Sequence, residues 1–229
     1  FEFGTTVVDA GATSLKVNVL GQSFTLSQQL EPKDLAPLFS DKWTGSQVWS
    51  CSVVLSTFIG QSVKKGEIVL KDKNVVELGA GCGLCGIYAH YLGGKIIATD
   101  QKPMVPLIRR NAKANLITKN FEVRELVWGD HEAVKALPRS NIVLISDCIN
   151  PIYGEGSYEA LAKTILWIGE RTDNKKEFAV FLAYEHRDGG GKASQMLLQT
   201  FFNFLKPKMS VNLALREEDI DIYLIQLLQ

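Results

Sequence analysis

Residues 74–86 read Asn74-Val-Val-Glu-Leu-Gly-Ala-Gly-Cys-Gly-Leu-Cys-Gly86, and a little further on the chain reaches Ile96-Ile-Ala-Thr-Asp100. The β-branched pair Val75-Val76 predicts a buried strand. Gly79, Gly81 and Gly83 follow it, and glycine lets the backbone turn tightly and a ligand approach closely. Leu84, Ile87, Tyr88 and Tyr91 then recur with helical spacing. A second apolar strand, Ile96 to Thr99, ends on Asp100. Strand, glycine turn, helix, strand and acid form the signature of a nucleotide site. The helix N-terminus faces the ligand, and the acid accepts hydrogen bonds from ribose hydroxyls.

Two ligands fit these letters. Gly81-Cys-Gly83-Leu-Cys-Gly86 has the dinucleotide spacing G-x-G-x-x-G. Read from Glu77, the same stretch is E-x-G-x-G-x-G, which resembles motif I of class I methyltransferases, the binders of S-adenosylmethionine (SAM). Charge separates the two. Glu77 repels a pyrophosphate and attracts a sulfonium and an ammonium. A glycine turn that binds nothing is the third reading.

The chain of 229 residues suits one α/β domain, or one with a small appendage. A hydrophobic content of 46% is that of a protein with a real core. Twenty-five basic residues balance 25 acidic ones, so no global field draws in nucleic acid or an anionic membrane. No apolar run is long enough to span a bilayer. The cysteines are Cys51, Cys82, Cys85 and Cys148. Cys82 and Cys85 form C-x-x-C, a redox or zinc spacing. They straddle the glycine turn without a second ligand pair, which favours small apolar residues lining that turn. Unpaired cysteines fit a reducing, intracellular compartment, with the cytoplasm expected and the nucleus as a second location. The chain opens on Phe1 rather than Met, so no targeting signal is read from it.

Residues 5–30 alternate, and Gly21-Gln22 is the expected turn of a β-hairpin. A loop or short helix is expected from Glu31 to Pro37. The division expected is therefore a hairpin extension over residues 1–40 and a main domain over 41–229. Ser46 is the expected N-cap of a helix carrying Val48, Cys51, Leu55, Phe58 and Ile59, with Gly60 as its stop. Trp49 lies off that stripe and reads either as a second packing face or as a pocket wall. Pro103 opens a helix through about Asn115. Phe121, Val123 and Leu126 make the next strand. Trp128 stands at its C-terminal end, where α/β sheets bind ligands. It reads as an adenine cover or as a core residue, and Asp130 as an acceptor for the adenine amino group. The strand Asn141–Asp147 again ends on an acid. Ser157 is the expected cap of the following helix. Phe178–Ala183 is a strand, Gly189-Gly-Gly191 a flexible break, and Met196–Leu205 an amphipathic helix. The runs at 211–215 and 222–227 have no helix between them and read as an antiparallel pair. That ending separates the chain from a dinucleotide-binding domain, which would alternate to the end and need a second domain.

Taken together these residues resemble the seven-β-strand protein-lysine methyltransferases of methyltransferase family 16, and within it the branch that includes the enzyme trimethylating the valosin-containing AAA ATPase. The likeness covers roughly residues 40–228. It rests on Trp49 in G-x-x-x-W, Glu77 to Gly86, Asp100, Leu126-Val-Trp-Gly129, Ser146-Asp-Cys148 and Tyr184-Glu-His-Arg187. The resemblance implies a doubly wound seven-stranded α/β sheet with an antiparallel last pair. It implies SAM as cofactor, a protein partner presenting a lysine, and a monomer. Glu77 and the Gly79-Ala80-Gly81 backbone would face the amino-acid part, Asp100 the ribose with Gln101 beside it, and Trp128 the adenine. Trp49 and Ser146 would line the pocket.

One departure matters. The family carries D-x-x-Y beside the target lysine, whereas here Asp147 is followed by Asn150-Pro-Ile-Tyr153. That resembles the N-P-P-Y motif with which other methyltransferases grip a planar amide or base nitrogen. Two acceptors therefore stay open, a lysine amine and a planar nitrogen, with a nicotinamide-dependent oxidoreductase as the remoter alternative. Asp147 is the expected catalytic acid, positioning the ammonium. Its plainer reading is a helix-capping or ribose-side acid. Asn150, Tyr153 and Tyr184 are the expected substrate contacts, and Arg187 the expected partner of a structural ion pair. Displacement at an amine needs no metal, and none is assigned.

Overall fold

The computed structural model describes residues 11–30, 44–187 and 191–228. Its centre is a sheet of seven strands: β3 (Asn74–Leu78), β4 (Lys95–Asp100), β5 (Phe121–Glu125), β6 (Ile142–Ser146), β7 (Ala179–Glu185), β8 (Met209–Glu217) and β9 (Ile220–Leu227). The spatial order is β5-β4-β3-β6-β7-β9-β8. The pairs from β5 across to β7 are parallel, and β9 is antiparallel to both β7 and β8. Because β3 lies between β4 and β6, the strand order reverses at β3. The crevice beyond its carboxyl end is where such sheets take ligands.

Strand burial follows from composition. Val75, Val76, Ile96, Ile97, Val143 and Leu144 are all buried, as parallel strands covered on both faces must be. The helices are α1 (Ser50–Lys64), α2 (Leu84–Tyr91), α3 (Val105–Ala114), α4 (His131–Ala136), α5 (Glu155–Glu170) and α6 (Lys192–Leu205). Apolar residues of α1, α2 and α3 build the core on one face, and those of α4, α5 and α6 build it on the other.

The hairpin is present as β1 (Ser14–Val19) and β2 (Gln22–Ser27). Its turn is Leu20-Gly21 rather than Gly21-Gln22, with φ of 48° and 84°. Two left-handed residues match the twist of the flanking strands. Val17, Val19 and Leu26 join the core of the α1–α3 face.

Helix ends depart from the sequence expectations. Ser46 closes a 3-10 turn, and α1 begins at Ser50 behind Trp49, with no side-chain cap bond. Gly60 does not stop α1. It lies inside the helix, and a Cβ there would sit 2.3 Å from the Tyr88 hydroxyl, so glycine is what lets α1 approach α2. Ser157 is in the first turn of α5, where its hydroxyl donates to the Gly154 carbonyl at 2.7 Å; Gly154 is the cap. The segment expected at 31–37, the 40/41 boundary, Gly189 and Gly190 lie outside the described residues.

Candidate active site

The carboxyl ends of β3, β4 and β6 meet at one cavity of about 530 Å³, inside the range of small-molecule sites. The glycine turn forms its base. Gly79 and Gly81 have φ of 65° and 56°. A Cβ on Gly79 would stand 2.5 Å from the Cys148 sulfur and 3.0 Å from the Trp128 ring, and one on Gly81 would stand 2.7 Å from the Gly45 carbonyl. These positions are small because other groups come close to the backbone there.

Asp100 is held from two sides. Gly81 N–H donates to Oδ2 at 2.8 Å, and Gln101 N–H donates to Oδ1 at 2.7 Å. Burial nonetheless pushes its pKa up to about 6, against the two backbone donors. The turn is thus tied to the acid that ends the neighbouring strand. Glu77 is only 2% exposed. One of its oxygens accepts the Gly86 N–H at 3.0 Å, which satisfies an orphan donor in the first turn of α2. Burial raises its pKa to about 8. Glu77 lines the cavity with one oxygen of its carboxyl group already holding the start of this helix.

Trp128 and Trp49 both line the cavity. Trp128 packs edge to face with Tyr153 at 6.5 Å. Asp147 has φ of 56°, a left-handed conformation that non-glycine residues rarely hold. Its amide donates to the Ala183 carbonyl at 2.9 Å, so β7 fixes this turn. The Asp147 carboxylate is buried, which raises its pKa to about 6 against the pull of Arg187. Arg187 donates to Asp147 Oδ2, lies 3.5 Å from Glu185 Oε2, and sits 5.4 Å from the Trp49 ring centroid. Ligand atoms of Cys51, Asp147 and Glu185 all lie within 4.8 Å of one another. The cation serving the two carboxylates of this cluster is the guanidinium.

The cavity brings together Trp49, Glu77, Gly79, Ala80, Gly81, Asp100, Gln101, Trp128 and Ser146 with Asp147, Asn150 and Tyr153. It does not include Tyr184. That side chain is buried in the core under α5 and α6, its ring centroid 5.0 Å from that of His186. Strand alternation sends it there, while its neighbour Ala183 joins the core of the α1 face. Asp130 is likewise not a cavity residue. It caps α4, with Ala133 N–H donating to Oδ1 at 3.0 Å. Asn150 Oδ1 accepts the Ile152 N–H at 3.2 Å, which commits part of that amide to its own turn. Cys82 and Cys85 donate to different backbone carbonyls, of Ser46 and Ser52, and both thiols are pushed up by burial, Cys82 to about 12. Ser52 and Met104 also line the cavity, as does Gly45, the glycine of the G-x-x-x-W motif. Nothing in the local pattern marks Ser52 or Met104, which arrive from α1 and the turn before α3.

A family model described as lysine methyltransferase matches residues 40–207. The zebrafish (Danio rerio) protein N-lysine methyltransferase METTL21A is 34% identical over 121 residues, covering 52% of each chain. The Xenopus laevis histone-arginine methyltransferase METTL23 is 34% identical over 131 residues, 56% of this chain and 53% of that one. The chain therefore spans about half the length of these relatives. Among solved structures, the T. thermophilus 16S rRNA methyltransferase RsmC, in complex with AdoMet and guanosine, superposes with a TM-score of 0.61 at 15% identity. That match covers 94% of this chain and 50% of RsmC; at such identity it speaks for the fold.

Proposed function

The chain belongs to the lysine methyltransferase family, and on that footing we propose that it transfers a methyl group from SAM to the side-chain amine of a lysine in a protein partner. The observation that carries the reading is the placement of two acids in one cavity, Asp100 and Asp147, at the ends of the strands flanking the glycine turn. The cradle left by Gly79 and Gly81 suits the amino-acid end of SAM, Asp100 a ribose diol, and Trp128 an adenine face. When bound, SAM supplies an electrophilic methyl on a sulfonium.

The chain's own residues then have three tasks. Trp49 and Tyr153 wall the acceptor end and offer ring faces to a cation. Asp147 Oδ1, buried and without a hydrogen-bond partner among the described residues, receives an N–H of the incoming amine. Burial disfavours the ammonium form, whose deprotonation at pH 7 costs roughly 4–5 kcal/mol for a free lysine. The proton leaves to water at the cavity mouth.

A second acceptor has a specific observation behind it. A guanidinium, that of Arg187, already rests on Asp147 and against Trp49, and a relative is named for histone arginine. A planar amide or base gripped by Asn150 is less supported, because Asn150 Oδ1 serves its own turn. Burial raises Glu77 to about 8 and keeps it protonated at pH 7, so its charge does not exclude a nicotinamide cofactor in the fold; the lysine methyltransferase family match is what disfavours that cofactor.

The test is incubation with isotopically labelled SAM and cell extract, followed by mass spectrometry of the labelled residue. Methyl-lysine is the expected product; label confined to arginine or to nucleic acid would overturn the lysine reading. We place the protein in the cytoplasm, with the nucleus as a second compartment, as a monomer. All four cysteines are free and buried, which suits a reducing compartment. Fluorescent tagging and light scattering check both statements.

A further inference from the structure

The hairpin lies before the segment that the family model matches, residues 40–207, yet it is bonded to two segments of the cavity wall, the glycine turn by way of Asn111 and the stretch before Trp49. The outer edge of β2 pairs with carboxamides. Thr25 N–H donates to Asn115 Oδ1 at 3.0 Å, and Asn115 Nδ2 donates back to the Thr25 carbonyl at 2.8 Å. Ser27 N–H donates to Asn111 Oδ1 at 2.8 Å, and Asn111 Nδ2 donates to the Ser27 carbonyl at 3.1 Å. A carboxamide carries the same donor and acceptor as a peptide group. Four residues along a helix advance about 6 Å, close to the two-residue step of a strand, so the paired asparagines imitate a neighbouring strand.

Asn111 does more than close this edge. It is fully buried, and its Nδ2 also donates to the Cys82 carbonyl, inside the glycine turn, at 2.9 Å. On the adjoining segment, whose Ser46 carbonyl accepts from the Cys82 thiol, Gln28 Oε1 accepts the Val48 N–H at 2.7 Å, next to Trp49, while Gln28 Nε2 is anchored on the Ala12 carbonyl at 2.8 Å. Phe24 packs edge-on against Tyr88 of α2 at 5.7 Å, which holds the hairpin against the helix that the glycine turn begins.

We propose that the hairpin is a clamp on the cofactor crevice, with Asn111 and Gln28 as positioning residues that fix the glycine turn and the Trp49 wall relative to each other. This rests on the SAM reading above. Asn111 and Asn115 make the same contact with β2, but only Asn111 reaches the turn, so the two separate a clamp from mere anchoring of the hairpin.

The experiment measures S-adenosylhomocysteine affinity by calorimetry, and amide hydrogen exchange of residues 79–86 in the unliganded protein, for Asn111→Ala, Asn115→Ala and Gln28→Ala. A turn released from this bond must be re-ordered when the ligand binds, and a re-ordering cost the size of one such bond corresponds to about tenfold in affinity. Asn111→Ala is expected to weaken binding about tenfold and to speed exchange at the turn. Asn115→Ala should change affinity less than about twofold and leave the turn's exchange as in the wild type. Gln28→Ala should weaken binding by about three- to tenfold. Equal effects of the two asparagine variants, or wild-type values for Asn111→Ala, overturn the proposal. If Asn111→Ala does not fold, unchanged affinity in Gln28→Ala overturns it. A wild-type protein that binds no S-adenosylhomocysteine refutes the cofactor reading instead, and the exchange comparison still decides the clamp.

Discussion

Replacing Glu77 with Gln should change how stability depends on pH. The Glu77 carboxyl is 2% exposed, and burial raises its pKa from 4.5 to about 8, while the Gly86 N–H pulls the other way. A carboxyl whose folded pKa is raised binds its proton more tightly in the folded state. Its contribution is therefore fully present below pH 4.5 and is lost as pH rises toward 8. At about 1.36 kcal/mol per unit, the wild type should lose about 2.5 kcal/mol between pH 5 and pH 7 through this group. Asp100 and Asp147, both raised to about 6, act with the same sign at lower pH. They are common to both proteins and cancel in the difference except for the repulsion between Asp100 and Glu77, a smaller contribution than burial, which Gln removes. Gln keeps the shape and an oxygen for the Gly86 N–H but has no proton to lose. The variant should therefore gain about 2.5 kcal/mol relative to wild type from pH 5 to pH 7, or roughly 5–10 °C in Tm. Urea unfolding at the two pH values measures it. A difference between the proteins that is the same at both would mean Glu77 is ionised in the fold and the reasoning is wrong.

Three further outcomes are expected. Asp147→Ala should bind S-adenosylhomocysteine within about threefold of wild type and lose methyl transfer by about a hundredfold or more; full transfer would remove Asp147 from the mechanism. Arg187→Gln should destabilise by about 1–2 kcal/mol at pH 8 and by much less at pH 5. The ion pair exists only while Asp147, at about 6, is ionised, so the gap must close as pH falls through that value; thermal melts at both pH values report it. Gly60→Ala should cost about 1–3 kcal/mol, because the added carbon must displace the Tyr88 hydroxyl 2.3 Å away. A neutral or stabilising result in chemical denaturation would mean that α1 and α2 separate freely.

Much of the fold was legible in single segments. Val75-Val76, the glycine turn and the Ile96–Asp100 run are local patterns, and the sheet forms around them as read. The antiparallel ending followed from the missing helix between the last two apolar runs, and the strand order bears it out. Acids at strand ends were visible as Asp100 and Asp147, since a polar residue closing an apolar run needs no distant information. The helix boundaries around Ser46, Gly60 and Ser157 were misread because capping and glycine preferences are worth only about a kcal/mol. Packing against Tyr88 outweighs them at Gly60.

From the letters alone came the periodicities and the glycine positions, because these depend on neighbours along the chain; that Glu77, a negative group by its letter, keeps its proton at pH 7 follows from its burial in the fold. Which face Tyr184 takes depends on the register of β7 within the sheet. That Asp130 caps a helix, that Arg187 rests on Asp147, and that Asn111 joins the hairpin to the Cys82 carbonyl were decided by packing. Each of these joins groups from different elements, and a pattern of nearest neighbours carries no distance between segments that meet only when the core closes.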